Sequence, residues 1–340
     1  MADVICLGEA LIDFVATESG VSVRESAGFV RAPGGAPANV AVGVSRLGRT
    51  SAFLGKVGSD PFGHFLAETF RGAGVDTGGM VFSPEYRTGL AFVSLAANGE
   101  RDFCFFRNPS ADMTYHPKEL DTTRFASAKI FHYGSITLID EPARSTTLAA
   151  LQKARASGNL ISYDPNLRPP LWRSLDTARK IILETLLFSD LVKISEEELG
   201  FLFLGNAPDT PLSHAEREEC INAFHENYGT VELLMVTRGD KGCLWSTARG
   251  IRGAQPGFAV SAVDTTGAGD GFVAAVMVQL LERNVTTAKA LLELSVDDWN
   301  SIFRFANAVG ALTTTRKGAI PALPTQAEVA EFLLSQSDLV

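Results

Sequence analysis

Apolar and polar positions along this chain follow two rhythms that trade places. Val4–Leu7, stopped at Gly8, and residues 11–15 around Asp13 are short apolar runs that predict strands. Residues 38–47 carry the spacing of an amphipathic helix and end at Gly48, which suits a C-cap. Residues 51–57 return to strand. Asp60-Pro61 supplies an acceptor side chain and a first-turn proline, so a helix opens there and runs to about Arg71. From residue 129 the pattern becomes regular. Ile130–Tyr133, Leu160–Tyr163, 191–194, 231–236 and 258–263 read as strands, and 141–156 and 273–282 as helices. Such alternation predicts an α/β fold, a doubly wound and mostly parallel sheet with helices on both faces. Ligands of such sheets bind beyond the carboxyl ends of the strands, where Asp13, Asp164, Lys193 and Thr237 fall.

One region breaks the rhythm. Residues 88–96 and Arg101–Phe106 flank Asn98-Gly99, a strong hairpin signal, and residues 22–31 alternate like a strand. These pieces contain no helix. They predict a small sheet inserted as a lid, at about 14–34 and 86–112, into a single domain spanning 1–340.

Composition narrows the class. The chain has 340 residues, 46% of them apolar and 20% charged, enough for a large globular core. Thirty Lys and Arg against 39 Asp and Glu give a net charge of −9, so neither duplex nucleic acid nor an anionic membrane is an expected partner. Cys6, Cys104, Cys220 and Cys243 are far apart and form no Cys-x-x-Cys pair, which argues against structural zinc or a disulfide framework. Asp3 and Glu9 interrupt any signal-peptide core, and the apolar run 272–281 is too short to span a bilayer. A soluble cytoplasmic protein is expected.

Chemistry concentrates in Asp264-Thr265-Thr266-Gly267-Ala268-Gly269-Asp270-Gly271-Phe272. Small residues at 267–269 let main chain approach a ligand closely, and amides opening a helix attract an anion. Asp270, in the first turn beside that anion site, would repel a phosphate. Its presence makes sense if it must take a proton from a hydroxyl attacking phosphorus. The other reading is a glycine-rich turn with a helix-capping acid. The string is not a P-loop, which needs Gly-Lys-Ser/Thr, nor a dinucleotide fingerprint, because Phe272 stands where the third glycine should be. A second cluster, Pro33-Gly34-Gly35-Ala36-Pro37-Ala38-Asn39, combines close backbone approach with an amide able to donate and accept to sugar hydroxyls.

These two clusters resemble the two signatures of the ribokinase-like (PfkB-type) carbohydrate kinases. The stretches Arg107–Asp112, Phe131–Ser135, Tyr163–Arg168 and Thr313–Pro324 are most similar to fructokinases within that family. The resemblance implies ATP-dependent phosphorylation of the 6-hydroxyl of D-fructose, with Asp270 as catalytic base and the Gly267, Ala268 and Gly269 amides as anion hole. It places Asp13, Gly34, Gly35, Asn39, Arg107, Asn166 and Arg168 about the sugar, and makes the first-signature glycines the hinge of the lid. It places Lys193, Ser195, Thr237, Gly239, Gly242 and Asn307 about the nucleotide. Magnesium is implied, with Glu198 acting through water. Ser195 stands where the family has an asparagine. Asp264 and Thr266, with carbonyls near Gly318, match a potassium site. The lid strands, with Phe92, Phe103, Phe105 and Phe106, imply a homodimer through the lid. Two alternatives stay open: another sugar kinase, acting on 2-keto-3-deoxygluconate, ribose or a related ketose, and a non-catalytic sugar sensor.

Overall fold

The computed structural model describes residues 2–96 and 101–336. The Asn98-Gly99 turn and the Phe103 side chain lie outside the described residues. In chain order the strands are β1 Val4–Leu7, β2 Leu11–Gly20, β3 Phe29–Gly34, β4 Ser51–Gly58, β5 Met80–Ser83, β6 Gly89–Ala96, β7 Arg101–Phe106, β8 Ile130–Tyr133, β9 Leu160–Tyr163, β10 Leu191–Ser195, β11 Leu233–Thr237, β12 Cys243–Thr247 and β13 Arg252–Gln255. The helices are α1 Ala36–Arg46, α2 Pro61–Gly72, α3 Ala143–Ala156, α4 Leu175–Leu186, α5 Glu196–Leu204, α6 His214–Asn227, α7 Ala268–Glu282, α8 Ala288–Leu291, α9 Val296–Thr314 and α10 Gln326–Ser335.

Nine strands form one sheet in the order β13-β12-β11-β10-β9-β8-β1-β4-β5. It is parallel from β5 through β11, and β12 and β13 add an antiparallel edge. Strand β1 lies between β4 and β8 and is buried on both faces, so its side chains feed two cores. Val4 and Cys6 join one with Val40, Val276 and Phe303, and Ile5 and Leu7 join the other with Leu151, Ile182 and Phe224. Helices cover both faces, as the alternation of short apolar runs and helical periods implies.

A second sheet, ordered β3-β2-β6-β7, is inserted between β1 and β8. Its central pair, β2 with β6, is parallel and the outer pairs are antiparallel. Most of residues 22–31, expected as a strand, is a turn between β2 and β3. There the Glu25 carboxylate accepts from the Ser22 amide at 3.1 Å and hydroxyl at 2.8 Å, closing the chain on itself. Only Phe29 onward pairs with β2.

The expected strand at 258–263 is absent. Val263 donates to the Thr314 carbonyl at 2.7 Å, and the Phe258 ring packs edge-on against Phe332 at 5.2 Å with the Arg304 guanidinium 5.2 Å above it. This apolar run therefore covers α9 and α10, and the β12–β13 hairpin supplies the sheet edge. Helix α7 begins at Ala268, five residues before the expected start, and α3 begins at Ala143, after Pro142.

Candidate active site

Helices α1 and α7 pack so closely that a Cβ on Gly43 would stand 2.7 Å from the Ala274 Cβ. Residues four apart share a helix face. One turn N-terminal of that contact, Asn39 therefore meets Asp270. The Asn39 Nδ2 donates to Asp270 Oδ2 at 2.8 Å. The Asn166 Nδ2, from the loop after β9, donates to Oδ1 at 3.3 Å. Asn166 sits at φ 46°, a left-handed backbone that asparagine tolerates better than most residues, and its amide is fixed by Asp164 Oδ1 at 3.1 Å. Asp270 is buried, and burial pushes its carboxyl up to about 6; Asp164 adds to the rise, while Asn39, Lys193 and Arg168 oppose it.

Gly267 caps α7 in the left-handed region, φ 81°, against Ala319. The first i to i−4 bond of the helix runs from Gly271 N–H to the Gly267 carbonyl at 2.8 Å, so the amides of Gly269 and Asp270 precede the helical ladder. The Ala268 amide closes a turn on the Thr265 carbonyl at 3.3 Å. Lys193, expected at a strand end, is the middle residue of β10; it brings its ammonium to within 3.1 Å of where a Gly269 Cβ would be and pairs with Asp164 at 3.1 Å. Burial alone would lower the Lys193 pKa, but Asp164, Glu198 and Asp270 outweigh it and raise it, so the ammonium stays charged. A helix N-terminus, a buried cation and a clamped carboxylate thus converge on one spot.

Around the first cluster, Gly35 has φ 113° and packs against the Glu9 carbonyl, a contact that leaves no room for a Cβ. The buried Glu9 carboxylate accepts from the Ala36 amide at 2.9 Å, and burial pushes Glu9 up to about 7. Gly34 faces the Asp13 carboxylate with similar closeness. Arg168, half-buried, donates to the Leu167 carbonyl at 3.1 Å and is near enough to Asp270 to feel its charge. Arg107 is no exposed strand-end charge: its side chain is 6% exposed and it pairs with the buried Asp112.

Ser195 and Glu198 form a capping box at the start of α5. Ser195 Oγ accepts from the Glu198 amide at 3.1 Å, and the two Glu198 oxygens accept from the Ser195 and Leu167 amides at 2.8 and 2.7 Å. Glu196 binds Arg217 at 2.7 Å and Arg238 at 3.1 Å, which fixes the loop after Thr237. In that loop Gly239 is exposed, and Gly242, φ 82°, packs tightly on residues 255–257. The Asn307 Nδ2 donates to the carbonyls of Gln255 and Pro256 at 3.0 Å each, holding the same loop from the other side. Asp264 Oδ1 accepts from the Thr266 amide at 3.0 Å and hydroxyl at 2.7 Å, and Oδ2 from the Gly318 amide at 2.9 Å. Asp264 thereby ties the 264–266 turn to the loop at Gly318. Among the described residues no group of three or more His, Cys, Asp or Glu could cage a metal. Glu9 was not singled out by any sequence motif; Asp112 and Asp164 fall in the fructokinase-like stretches Arg107–Asp112 and Tyr163–Arg168 but were given no role there. Glu9 and Asp112 become visible only because distant segments bury them.

The chain matches the pfkB family carbohydrate kinase profile over residues 1–326. It belongs to the pfkB family of carbohydrate kinases. It is 50% identical over 333 residues to probable fructokinase-2 of Arabidopsis thaliana, covering 98% of this chain and 96% of that one. The fructokinase of Xylella fastidiosa with bound ATP superposes with a TM-score of 0.87 at 35% identity, over 99% of this chain and all of the other. A fructokinase double mutant of Vibrio cholerae O395, bound to fructose, ADP and potassium ion, gives 0.82 at 34% identity over 98% of each chain. Among the described residues no helix is long and apolar enough to cross a membrane.

Proposed function

We propose that this pfkB-family kinase transfers the terminal phosphoryl group of ATP to the 6-hydroxyl of D-fructose, yielding fructose 6-phosphate and ADP. The observation that carries the proposal is the Asp270 carboxylate, clamped by Asn39 and Asn166 at the N-terminus of α7 beside Lys193. Likeness to fructokinases over nearly the whole chain supports the substrate.

In this reading Asp270 accepts the hydroxyl proton as the oxygen attacks phosphorus. Its raised pKa suits a base working near neutrality. The amides of Gly267, Ala268 and Gly269, with the Lys193 ammonium, stabilise charge on the migrating phosphoryl group. Asp13, Gly34, Gly35, Asn39, Asn166 and Arg168 hold the sugar hydroxyls, with Arg107 reaching in from the small sheet. Ser195, Thr237, Gly239, Gly242 and Asn307 line the nucleotide side, Asn307 by shaping the 255–257 loop. Magnesium on the nucleotide would screen its phosphates, and Glu198 would orient a water toward it. Potassium near Asp264 and Thr266 would steady the loop that presents the anion hole.

The 1–340 chain acts as one catalytic domain, and the small sheet acts as its lid. Closing on the Gly34-Gly35 hinge excludes water, which otherwise competes as phosphoryl acceptor. The lid leaves apolar side chains exposed on both faces: Val15 and Val30 on one, and on the other Phe106, beside a ring cluster in which Phe92 stacks on Phe14 at 5.0 Å and meets Phe106 at 5.4 Å. Pairing two lids in a homodimer covers this surface. A cytoplasmic location agrees with four unpaired cysteines.

A coupled ADP-release assay over fructose, ribose and 2-keto-3-deoxygluconate tests the proposal. Fructose should have the highest kcat/KM, and absence of fructose turnover would end it.

A further inference from the structure

A cavity of about 270 Å³ opens between the end of β7 and the segment after Arg168, with Phe105, Arg107, Asp112, Asp140 and Leu171 on its wall. It adjoins the proposed sugar site on two sides. Leu171 closely follows Arg168, and Arg107 feels the charge of Glu9, which contacts Gly35 and Ala36. The wall sets one guanidinium against two carboxylates. The guanidinium is already committed: Arg107 pairs with Asp112, whose side chain is 1% exposed, and the Ser110 hydroxyl donates to the other Asp112 oxygen. Asp112 is thus fixed at both oxygens. Among the remaining N–H groups of Arg107, the buried Nε–H has no partner among the described residues. N–H groups whose charge a buried carboxylate already neutralises suit a hydroxyl and offer little to a second carboxylate.

We propose that Asp112 is a specificity-determining residue, which selects neutral ketoses over sugar acids by neutralising the one cation that a substrate carboxylate would meet in this cavity. The inference rests on the proposed sugar-kinase activity and adds the chemical class that this activity rejects. An acid entering here would meet Asp112, already paired with Arg107, and Asp140, already paired with Arg173 at 2.7 Å, so no counter-charge is free, and desolvating it unpaired is costly. A neutral polyol has no such obstacle.

Asp112→Asn keeps the side-chain shape and frees the guanidinium charge. The ratio of kcat/KM for 2-keto-3-deoxygluconate to that for fructose should rise at least about tenfold, a change corresponding to about 1.4 kcal/mol. Adding Arg107→Gln to that variant should return the ratio toward the wild-type value. An unchanged ratio in folded Asp112→Asn protein, or a gain that survives loss of Arg107, would overturn the inference. Wild-type protein supplies a test independent of variant folding: D-sorbitol should compete with fructose at least tenfold better than D-gluconate, its carboxylate counterpart. Equal competition by the two would also overturn it. Failure of wild-type protein to phosphorylate fructose counts against the proposed activity, and is read apart from the sorbitol-to-gluconate comparison.

Discussion

Replacing Asp270 with asparagine should stabilise the fold and nearly abolish turnover, both through the same carboxylate. Burial lifts this carboxyl from the ordinary 3.8 to about 6. At 1.36 kcal/mol per pH unit, holding Asp270 ionised in the fold costs about 3 kcal/mol at neutral pH. The sign follows from the two protonation curves. Below about pH 4 the group is protonated in both states and carries no penalty. As pH rises from there the unfolded chain ionises first, and above about 6 the full penalty applies. Asparagine removes the charge but presents an NH2 to one of the two amide donors, Asn39 at 2.8 Å or Asn166 at 3.3 Å, a mismatch worth about 1–2 kcal/mol. The net gain is about 1–2 kcal/mol, a rise of a few degrees in Tm for a chain of this size. Loss of the base should lower kcat by about 10²–10⁴. Calorimetry of wild type and variant at pH 7.5 and pH 4.5 reads the first effect, and the coupled assay reads the second. The Tm advantage should be present at pH 7.5 and vanish or reverse at pH 4.5. A variant less stable than wild type at pH 7.5, by a margin that pH does not alter, would refute the reasoning.

Three further outcomes follow from the same geometry. Asn39→Ala removes the hydrogen bond that opposes the rise of Asp270, so the acid limb of the kcat/KM profile, expected near pH 6 in wild type, should move to higher pH; an unmoved limb contradicts this. Gly43→Ala places a methyl 2.7 Å from the Ala274 Cβ and should drive α1 from α7, costing about 1–3 kcal/mol in denaturant unfolding and lowering kcat by misplacing Asn39; unchanged stability and rate would show that the helices tolerate the wedge. Val30→Ser with Phe106→Ser, which removes one of the most exposed apolar side chains from each face of the small sheet, should convert a dimer to monomer in sedimentation velocity; a sedimentation coefficient equal to wild type would rule out pairing through these lid residues.

Local rules reach the parts of the fold that local forces build. The apolar runs at Val4–Leu7 and Ile130–Tyr133 become central strands because nothing but burial on two faces satisfies them. Residues 258–263 have the same apolar character, yet Phe258 finds Phe332 and Arg304, and helix packing replaces the ladder. The β12–β13 edge hairpin, with intermediate or exposed positions throughout β13, gave little periodic signal to read. At the site, motif strings pointed to both Asn39 and Asp270. Their hydrogen bond spans 231 positions, however, and depends on Gly43 meeting Ala274, which neither motif contains. Glu9 carries no motif signal, and Asp112 appears in the sequence only as the last residue of the fructokinase-like stretch Arg107–Asp112. Their importance comes from burial beside Ala36 and Arg107, a property of the folded chain.

The central claim is that Asp270 takes the proton of the fructose 6-hydroxyl while the α7 N-terminus holds the migrating phosphoryl group. A crystal structure with fructose and a non-hydrolysable ATP analogue tests it most directly. The account predicts an Asp270 oxygen about 2.6–3.2 Å from the C6 hydroxyl, with terminal phosphate oxygens at the Gly267–Gly269 amides. Fructose presenting a different hydroxyl to Asp270, or phosphate bound away from α7, would contradict it.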